Sequence, residues 1–439
     1  MKYRPEVDGL RTIAVLPVVF FHASVGPFHG GFSGVDIFFV ISGYLITSLL
    51  VGDIDAGRFS IPDFYERRAR RILPALFLVL AASSFFGYRF MYPLELNEFS
   101  QSLVATVLFS SNIFFWLKSD YFSTAAELKP LLHTWSLAVE EQYYLFFPPL
   151  LFLIWRGAGR YLRTMSVLGV ITLSSFVACM ILSGSWANAA FYLLPLRAWE
   201  LLTGAICAII LTRKSIRPNS LATALGLAMI AVALLFARQD SWPSWQTLLP
   251  TLGTGLVILF ASRDSGPGRL LATAPMVWVG LISYSLYLWH QPLFAFARLR
   301  LMDDLSAGFR LGLVAVAILL AWLTWRLVEQ PFRAKGPAGF VVGRKPLALM
   351  IGTTAAVALL MGAWGMSVMV FLIVWRHPAL PSARSTTILP DCVPTPRLVT
   401  STCPFARFLT RLCRNVCFRH SNHLRPVMRS CWVTATQPS

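Results

Sequence analysis

The sequence predicts an all-α polytopic membrane protein, and three observations carry that prediction. Hydrophobic residues make up 56% of the 439 and charged residues only 13%, about half the charged share of a soluble domain. Mean hydropathy is +0.63. The apolar residues gather in runs near 20 residues long, the length at which a helix spans a hydrocarbon core. Such a composition comes close to excluding a water-soluble enzyme. The surplus of 38 Lys+Arg over 20 Asp+Glu, a net +18, reads as basic cytoplasmic loops rather than a nucleic-acid surface.

Taken in order, the runs lie at 10–28, 32–51, 72–92, 138–155, 164–183, 193–212, 219–237, 246–262, 276–297, 307–326 and 347–373. The first has Lys2 and Arg4 ahead of it and Arg11 within it. It has no small-residue cleavage site and leads straight into the second, so it is expected as a retained helix. Arg58, Arg67, Arg68, Arg70 and Arg71 follow the second run; Arg156, Arg160 and Arg163 follow the fourth. Arg213, Lys214 and Arg217, then Arg263 and Arg269, then Arg326, Arg333, Lys335, Arg344 and Lys345 follow the sixth, eighth and tenth. All these loops are expected in the cytoplasm, and the acidic loop 93–102 with Glu95 and Glu98 outside. A shorter apolar piece, 103–117, would reverse every later loop if it crossed, so it is expected as a re-entrant or interfacial segment. About eleven transmembrane helices result, with the N-terminus inside and the C-terminus outside.

Ionisable residues within membrane spans are costly and mark candidate function. Arg11 and His22 are eleven residues apart, which is 1100° of helix, about 20° from three full turns. They share one face, roughly 16 Å apart along the axis. This suits a polar path through the bilayer, although a snorkelling Arg and a His bonded to a neighbouring helix would give the same spacing. His133 and Glu140, seven apart, share a face if one helix carries both, as an acid/base pair or a structural clamp. Arg197 and Glu200, at i and i+3, neutralise each other. His290 is expected near the outer end of its span beside Trp289, and Glu329 and Arg333 in a cytoplasmic loop. His22, His133 and His290 are far apart in sequence, and no close His/Asp/Glu spacing suggests a metal site.

Several blocks are recognisable together. They are Tyr3-Arg4-Pro5-Glu6-Val7-Asp8-Gly9-Leu10-Arg11 with His22, and the stretch from Gly30 to Ile46 containing Asp36. Phe64 to Pro74 with its arginines follows, then Leu132-His133-Thr134-Trp135-Ser136 through Glu140-Glu141-Gln142-Tyr143-Tyr144. Arg197-Ala198-Trp199-Glu200, Ser283 to Pro292 and Val328-Glu329-Gln330-Pro331-Phe332-Arg333 complete the set. Over residues 1–373 the chain resembles the membrane-bound acyltransferase family 3. The resemblance implies transfer of an acyl group, usually acetyl, from cytoplasmic acetyl-CoA to a surface glycan such as O-antigen, exopolysaccharide or peptidoglycan. It also implies a bacterial inner membrane, with membrane lipid and a glycan acceptor as partners and no nucleic acid. His22 then suits a general base or acyl relay, because imidazole titrates near neutrality. Arg11 suits a CoA phosphate or a thioester oxyanion. The guanidinium forks of Arg67, Arg68 and Arg71 suit CoA phosphates, or simple positive-inside anchoring. Glu140 and His133 are further catalytic candidates. Asp36, Trp135, Ser136, Arg197, Glu200, His290 and Glu329 are expected to support substrate or structure.

The chain divides into an acyltransferase domain at 1–346, an extra transmembrane helix at 347–373 and a tail at 374–439. Residues 376–439 hold nine Arg, no Lys, no Glu and only Asp391, and five of the seven cysteines lie there. That composition builds a poor core and reads as disordered. Many family-3 proteins carry an SGNH-type domain at this point. Read two bases out of frame, Cys431-Trp432 must encode Leu and Trp432-Val433 must encode Gly, and the next junctions permit Asp-Ser-His-Ala. The tail therefore reads as a frameshifted, non-native segment, with the SGNH module, if needed, supplied as a separate domain or protein. Two readings compete with the enzyme: a transporter of a lipid-linked sugar or small solute, disfavoured by the lack of an inverted repeat, and an inactive truncated acyltransferase.

Overall fold

Helices account for every apolar run in the computed structural model, which describes residues 3–119, 125–301, 305–333 and 343–376. The predicted tail from residue 377 onward lies outside the described residues. The helices are α1 (Pro5–His22), α2 (Gly34–Asp55), α3 (Ile61–Phe90), α4 (Pro93–Val107), α5 (Ser111–Leu117), α6 (Thr134–Ile154), α7 (Arg160–Leu182) and α8 (Ala187–Tyr192). Then come α9 (Leu194–Arg213), α10 (Ser220–Phe236), α11 (Leu248–Phe260), α12 (Gly266–Leu271), α13 (Ala274–Leu301), α14 (Ala307–Thr324), α15 (Gln330–Arg333) and α16 (Arg344–Arg376). Among the described residues seven helical segments are long and apolar enough to cross a membrane by length and composition: Gly31–Asp55, Ile61–Phe90, Thr134–Ile154, Arg160–Leu182, Ala187–Arg213, Ala307–Arg333 and Arg344–Ser367. The chain is a multi-pass membrane protein.

Three boundaries differ from the sequence reading, each for a local reason. The first apolar run continues to residue 28, yet α1 stops at His22, where Ser24 (φ 53°) and Gly26 (φ 77°) turn the chain ahead of Pro27. Of the arginines expected in a loop after the second run, Arg67, Arg68, Arg70 and Arg71 sit on the opening turns of α3. That helix starts early because the Ser60 hydroxyl accepts from the Asp63 amide and Pro62 needs no partner for its nitrogen. The acidic stretch 93–102 is helical too: Pro93 opens α4 and the Glu95 carboxylate accepts from the Tyr92 amide.

The segment 103–117 is not one element. α4 ends at Val107, Phe109 turns the chain with φ 50°, and α5 begins at Ser111. Gln142 of α6 closes this break, donating to the Phe109 carbonyl (3.0 Å) and exchanging bonds with Asn112 (2.8 and 3.2 Å). Irregular backbone within a membrane protein needs such internal partners.

Helices α1, α2, α3, α6 and α13 surround the centre of the bundle. α1 lies along α13, and α2 lies along α9 at very short range. A Cβ at Gly43 would fall 1.8 Å from the Leu201 carbonyl oxygen, and one at Gly204 would fall 1.9 Å from that of Val40. Small residues at such crossings let backbones approach where apolar burial against lipid gives little drive. On that close-packed pair stands a buried ionic group. Arg197 of α9 donates to Asp36 of α2 and pairs with Glu200 one turn on at 3.2 Å, all three side chains within 1% of full burial.

Candidate active site

Two cavities meet at the centre of the bundle. The first is lined by Arg11, Arg68, Arg71, Ser42, Glu140, Tyr144 and Tyr284, with an apolar end at Val35, Phe38, Ile41 and Leu137. Helix spacing explains the basic end: Arg68 and Arg71 are i and i+3 on α3 and so share a face, and Arg11 comes from the second turn of α1. Glu140 accepts from Ser42 (3.0 Å) and Tyr144 (2.9 Å), while Arg68 lies over the Tyr144 ring (4.2 Å) and 3.7 Å from Glu141. Three guanidinium groups facing this partly neutralised cavity suit a polyanion such as a phosphate ester.

The second cavity is lined by His22, His133, Trp135, Phe191, Tyr192, Asn188, Gln239, Asp240, Trp242 and Gln291. Three histidines remote in sequence cluster at its base: the His290 ring centroid is 5.2 Å from that of His22 and 5.4 Å from that of His133. His22 Nδ1 bonds the Val18 carbonyl at 2.9 Å. A carbonyl only accepts, so Nδ1 carries the proton and Nε2 holds the lone pair. His290 Nδ1 binds the Tyr287 carbonyl in the same way at 2.6 Å. His22 therefore offers a basic nitrogen beside aromatic faces and neutral hydrogen-bonding groups, a setting in which a hydroxyl can be held and deprotonated.

Several expected roles change with this geometry. His133 and Glu140 do not pair: His133 precedes the first residue of α6 and meets His290, whereas Glu140 lies two turns deeper in the arginine-lined cavity. Arg67 points away from that cavity, half exposed, and pairs with Asp53 at 2.7 Å. His290 is fully buried within α13, beside His22 and His133. Glu329 and Arg333 are not in a loop. Residues Trp325–Glu329 form a π turn that continues α14 into α15, so Glu329 is buried and accepts from Ser285. Asp36, Arg197 and Glu200 form the ionic group described above, and Trp135 packs its ring 4.6 Å from that of Phe191. Ser136 lines the arginine cavity. Among the described residues no three His, Cys, Asp or Glu side chains form a group that could hold a metal ion. Tyr287 and Val35, which line both cavities, were not singled out from sequence; nothing in their spacing marks them.

Comparison with known proteins gives concordant matches. The chain is 30% identical over 376 residues to "O-acetyltransferase OatA" of Staphylococcus aureus (strain MRSA252), covering 82% of this chain and 62% of that protein. It is 28% identical over 419 residues to "Peptidoglycan O-acetyltransferase OatA" of Listeria monocytogenes, covering 89% of this chain and 67% of that protein. The chain thus spans about 62% of the length of the Staphylococcus relative. No solved structure matches. Residues 4–326, which supply the helices of both cavities, match the model of the acyltransferase domain of acyltransferase family 3. With the arginine and histidine residues of the matched region gathered around two adjoining cavities, the chain belongs to that acyltransferase family.

Proposed function

We propose that this chain is an integral-membrane O-acetyltransferase of the bacterial inner membrane. It moves an acetyl group from cytoplasmic acetyl-CoA to a hydroxyl of a cell-surface glycan. The observation that carries the proposal is a single helix, α1, with Arg11 lining the arginine cavity and His22 lining the histidine cavity, roughly 16 Å apart along the axis. A phosphate-binding end and a proton-accepting end on one rigid element suit a donor held at one side and an acceptor at the other.

In this reading Arg11, Arg68 and Arg71 hold the phosphates of the donor, and its acyl end reaches towards His22. The acceptor hydroxyl oxygen attacks the thioester carbonyl carbon while His22 Nε2 takes the hydroxyl proton. The C–O bond forms, the C–S bond breaks and the thiolate of CoA leaves, to be protonated in turn. Trp135, Phe191 and Trp242 offer flat apolar faces to the acceptor, and Asn188, Gln239 and Gln291 offer hydrogen bonds. A separate SGNH-type domain or protein is the natural recipient where the acetyl group travels further before reaching the glycan.

The test is acetyl transfer by purified protein from radiolabelled acetyl-CoA to peptidoglycan fragments. Labelled glycan is expected from the wild type. His22→Ala is expected to lower turnover by about 10²–10⁴-fold, the range for loss of a general base, while membrane insertion persists. Wild-type protein that binds acetyl-CoA but neither hydrolyses nor transfers it would overturn the proposal.

A further inference from the structure

Tyr287 stands where the two cavities approach each other. Its side chain lines both, together with Val35. The hydroxyl is held at two points: it donates to the His133 carbonyl at 3.0 Å and lies 2.7 Å from Ser136 Oγ. Ser136 in turn faces the arginine cavity, and His133 the histidine cavity. The ring packs against His133 (5.5 Å), His290 (5.3 Å) and Phe38 (6.2 Å). The start of α6 thus straddles the boundary, and the tyrosine of α13 is latched to it.

We infer that Tyr287, latched by its hydroxyl to the start of α6, is the partition between the two cavities and the positioning residue past which the acyl end of the donor must move. The ring is bulky enough to separate the chambers, yet it is fixed by hydrogen bonds rather than by covalent framework. One hydrogen bond contributes only about 1 kcal/mol net, so displacement of the ring is cheap compared with unfolding. Closed, the partition keeps bulk water in the histidine cavity away from a thioester in the arginine cavity. Its identity as a donor–acceptor boundary rests on the proposed function; its existence as a barrier does not.

The experiment follows that division. In a full-length chain with native cysteines replaced by Ser, Leu45→Cys places a thiol in the arginine cavity. That position is ten residues, or about 15 Å, along α2 from Val35. A membrane-impermeant thiol reagent is applied to right-side-out and inverted vesicles. With Tyr287 intact, labelling is expected from one face only; with Tyr287→Ala, from both. Tyr287→Phe keeps the ring and loses the latch, so labelling from the second face should rise about fivefold over background, the equivalent of one hydrogen bond. In parallel, Tyr287→Ala should raise acceptor-independent acetate release relative to transfer. Two-faced labelling with Tyr287 intact, or one-faced labelling in Tyr287→Ala that is folded by its melting curve, overturns the partition. Should Tyr287→Ala fail to fold, Tyr287→Phe and Ser136→Ala decide: no rise in second-face labelling in either overturns the latch. Absence of any acetyl chemistry in the wild type would count against the proposed function alone, because labelling reads the barrier without it.

Discussion

At the scale of single residues, charge type was readable from the sequence and partnership was not. Arg67, Arg68 and Arg71 form one basic run, but 100° per residue separates them. Arg68 and Arg71 face the arginine cavity, and Arg67 turns out to Asp53. With acetyl-CoA as the proposed donor, Arg71→Ala is therefore expected to raise its KM by about tenfold or more, as for a lost charge-assisted bond. Arg67→Ala should leave it within about twofold, the scale of an exposed ion pair; equal effects in steady-state kinetics would refute the assignment. The histidine cluster shows why the rest was hidden. His22, His133 and His290 lie on α1, at the start of α6 and on α13, and only the packing of those helices brings the His22 and His133 rings to 5.2 and 5.4 Å from that of His290. Arg197 was half legible: Glu200 at i+3 was visible, but Asp36 reaches it across 161 positions. Asp36→Ala leaves a buried guanidinium short of one partner, so a loss of about 3–5 kcal/mol is expected, read as a lowered melting temperature in detergent.

Among elements, periodicity and length located the helices, while local backbone chemistry decided their ends. The eleven apolar runs each coincide with a helix, and among the described residues seven helical segments have the length and apolar content of a crossing. The misplaced ends, at His22, Ser60 and Pro93, are set by a left-handed turn, a serine cap and a proline, which hydropathy does not register. The α2–α9 crossing was not foreseen either, because a glycine in an apolar run looks like any small residue. It is nonetheless sharply testable. Gly43→Ala and Gly204→Ala each drive a methyl onto a carbonyl oxygen of the opposite helix. Each should cost at least about 1–3 kcal/mol, the usual overpacking range. Gly52→Ala, on the same helix with nothing within 4 Å, should be neutral or slightly stabilising through helix propensity. A thermal melt of the three variants in detergent checks this, and a destabilised Gly52→Ala with an unaffected Gly43→Ala would contradict the packing.

For the whole molecule the open quantity is parity, and contacts between distant loops argue it. Asp55, at the end of α2, accepts from Arg160 at the start of α7 (2.8 Å) and from Trp155 beside it (2.9 Å). The end of α2 and the end of α6 therefore share a face. Arg4 donates to the Ile258 and Ala261 carbonyls (2.9 and 3.1 Å), bringing the N-terminal segment to the end of α11. Arg344 bonds Glu66 (2.5 Å), bringing the start of α16 to that of α3. Opposite them, the chain after α1, the segment before α6, the start of α8 and the segment before α11 all meet around the histidine cavity. These two sets agree only if α4 and α5 together make no net crossing, descending and returning around the break at Phe109 that Gln142 closes. The basic loops then fall on one face, and the orientation we propose, from the positive-inside rule, puts that face in the cytoplasm. Single cysteines in intact cells provide the check. Gly57→Cys, Ala158→Cys and Ser215→Cys should be protected from an impermeant reagent until the membrane is opened, whereas Ser185→Cys and Gln239→Cys should react at once. Gly57→Cys and Ala158→Cys on opposite faces would mean that the α4–α5 unit crosses, and the eleven-crossing topology would fail with it.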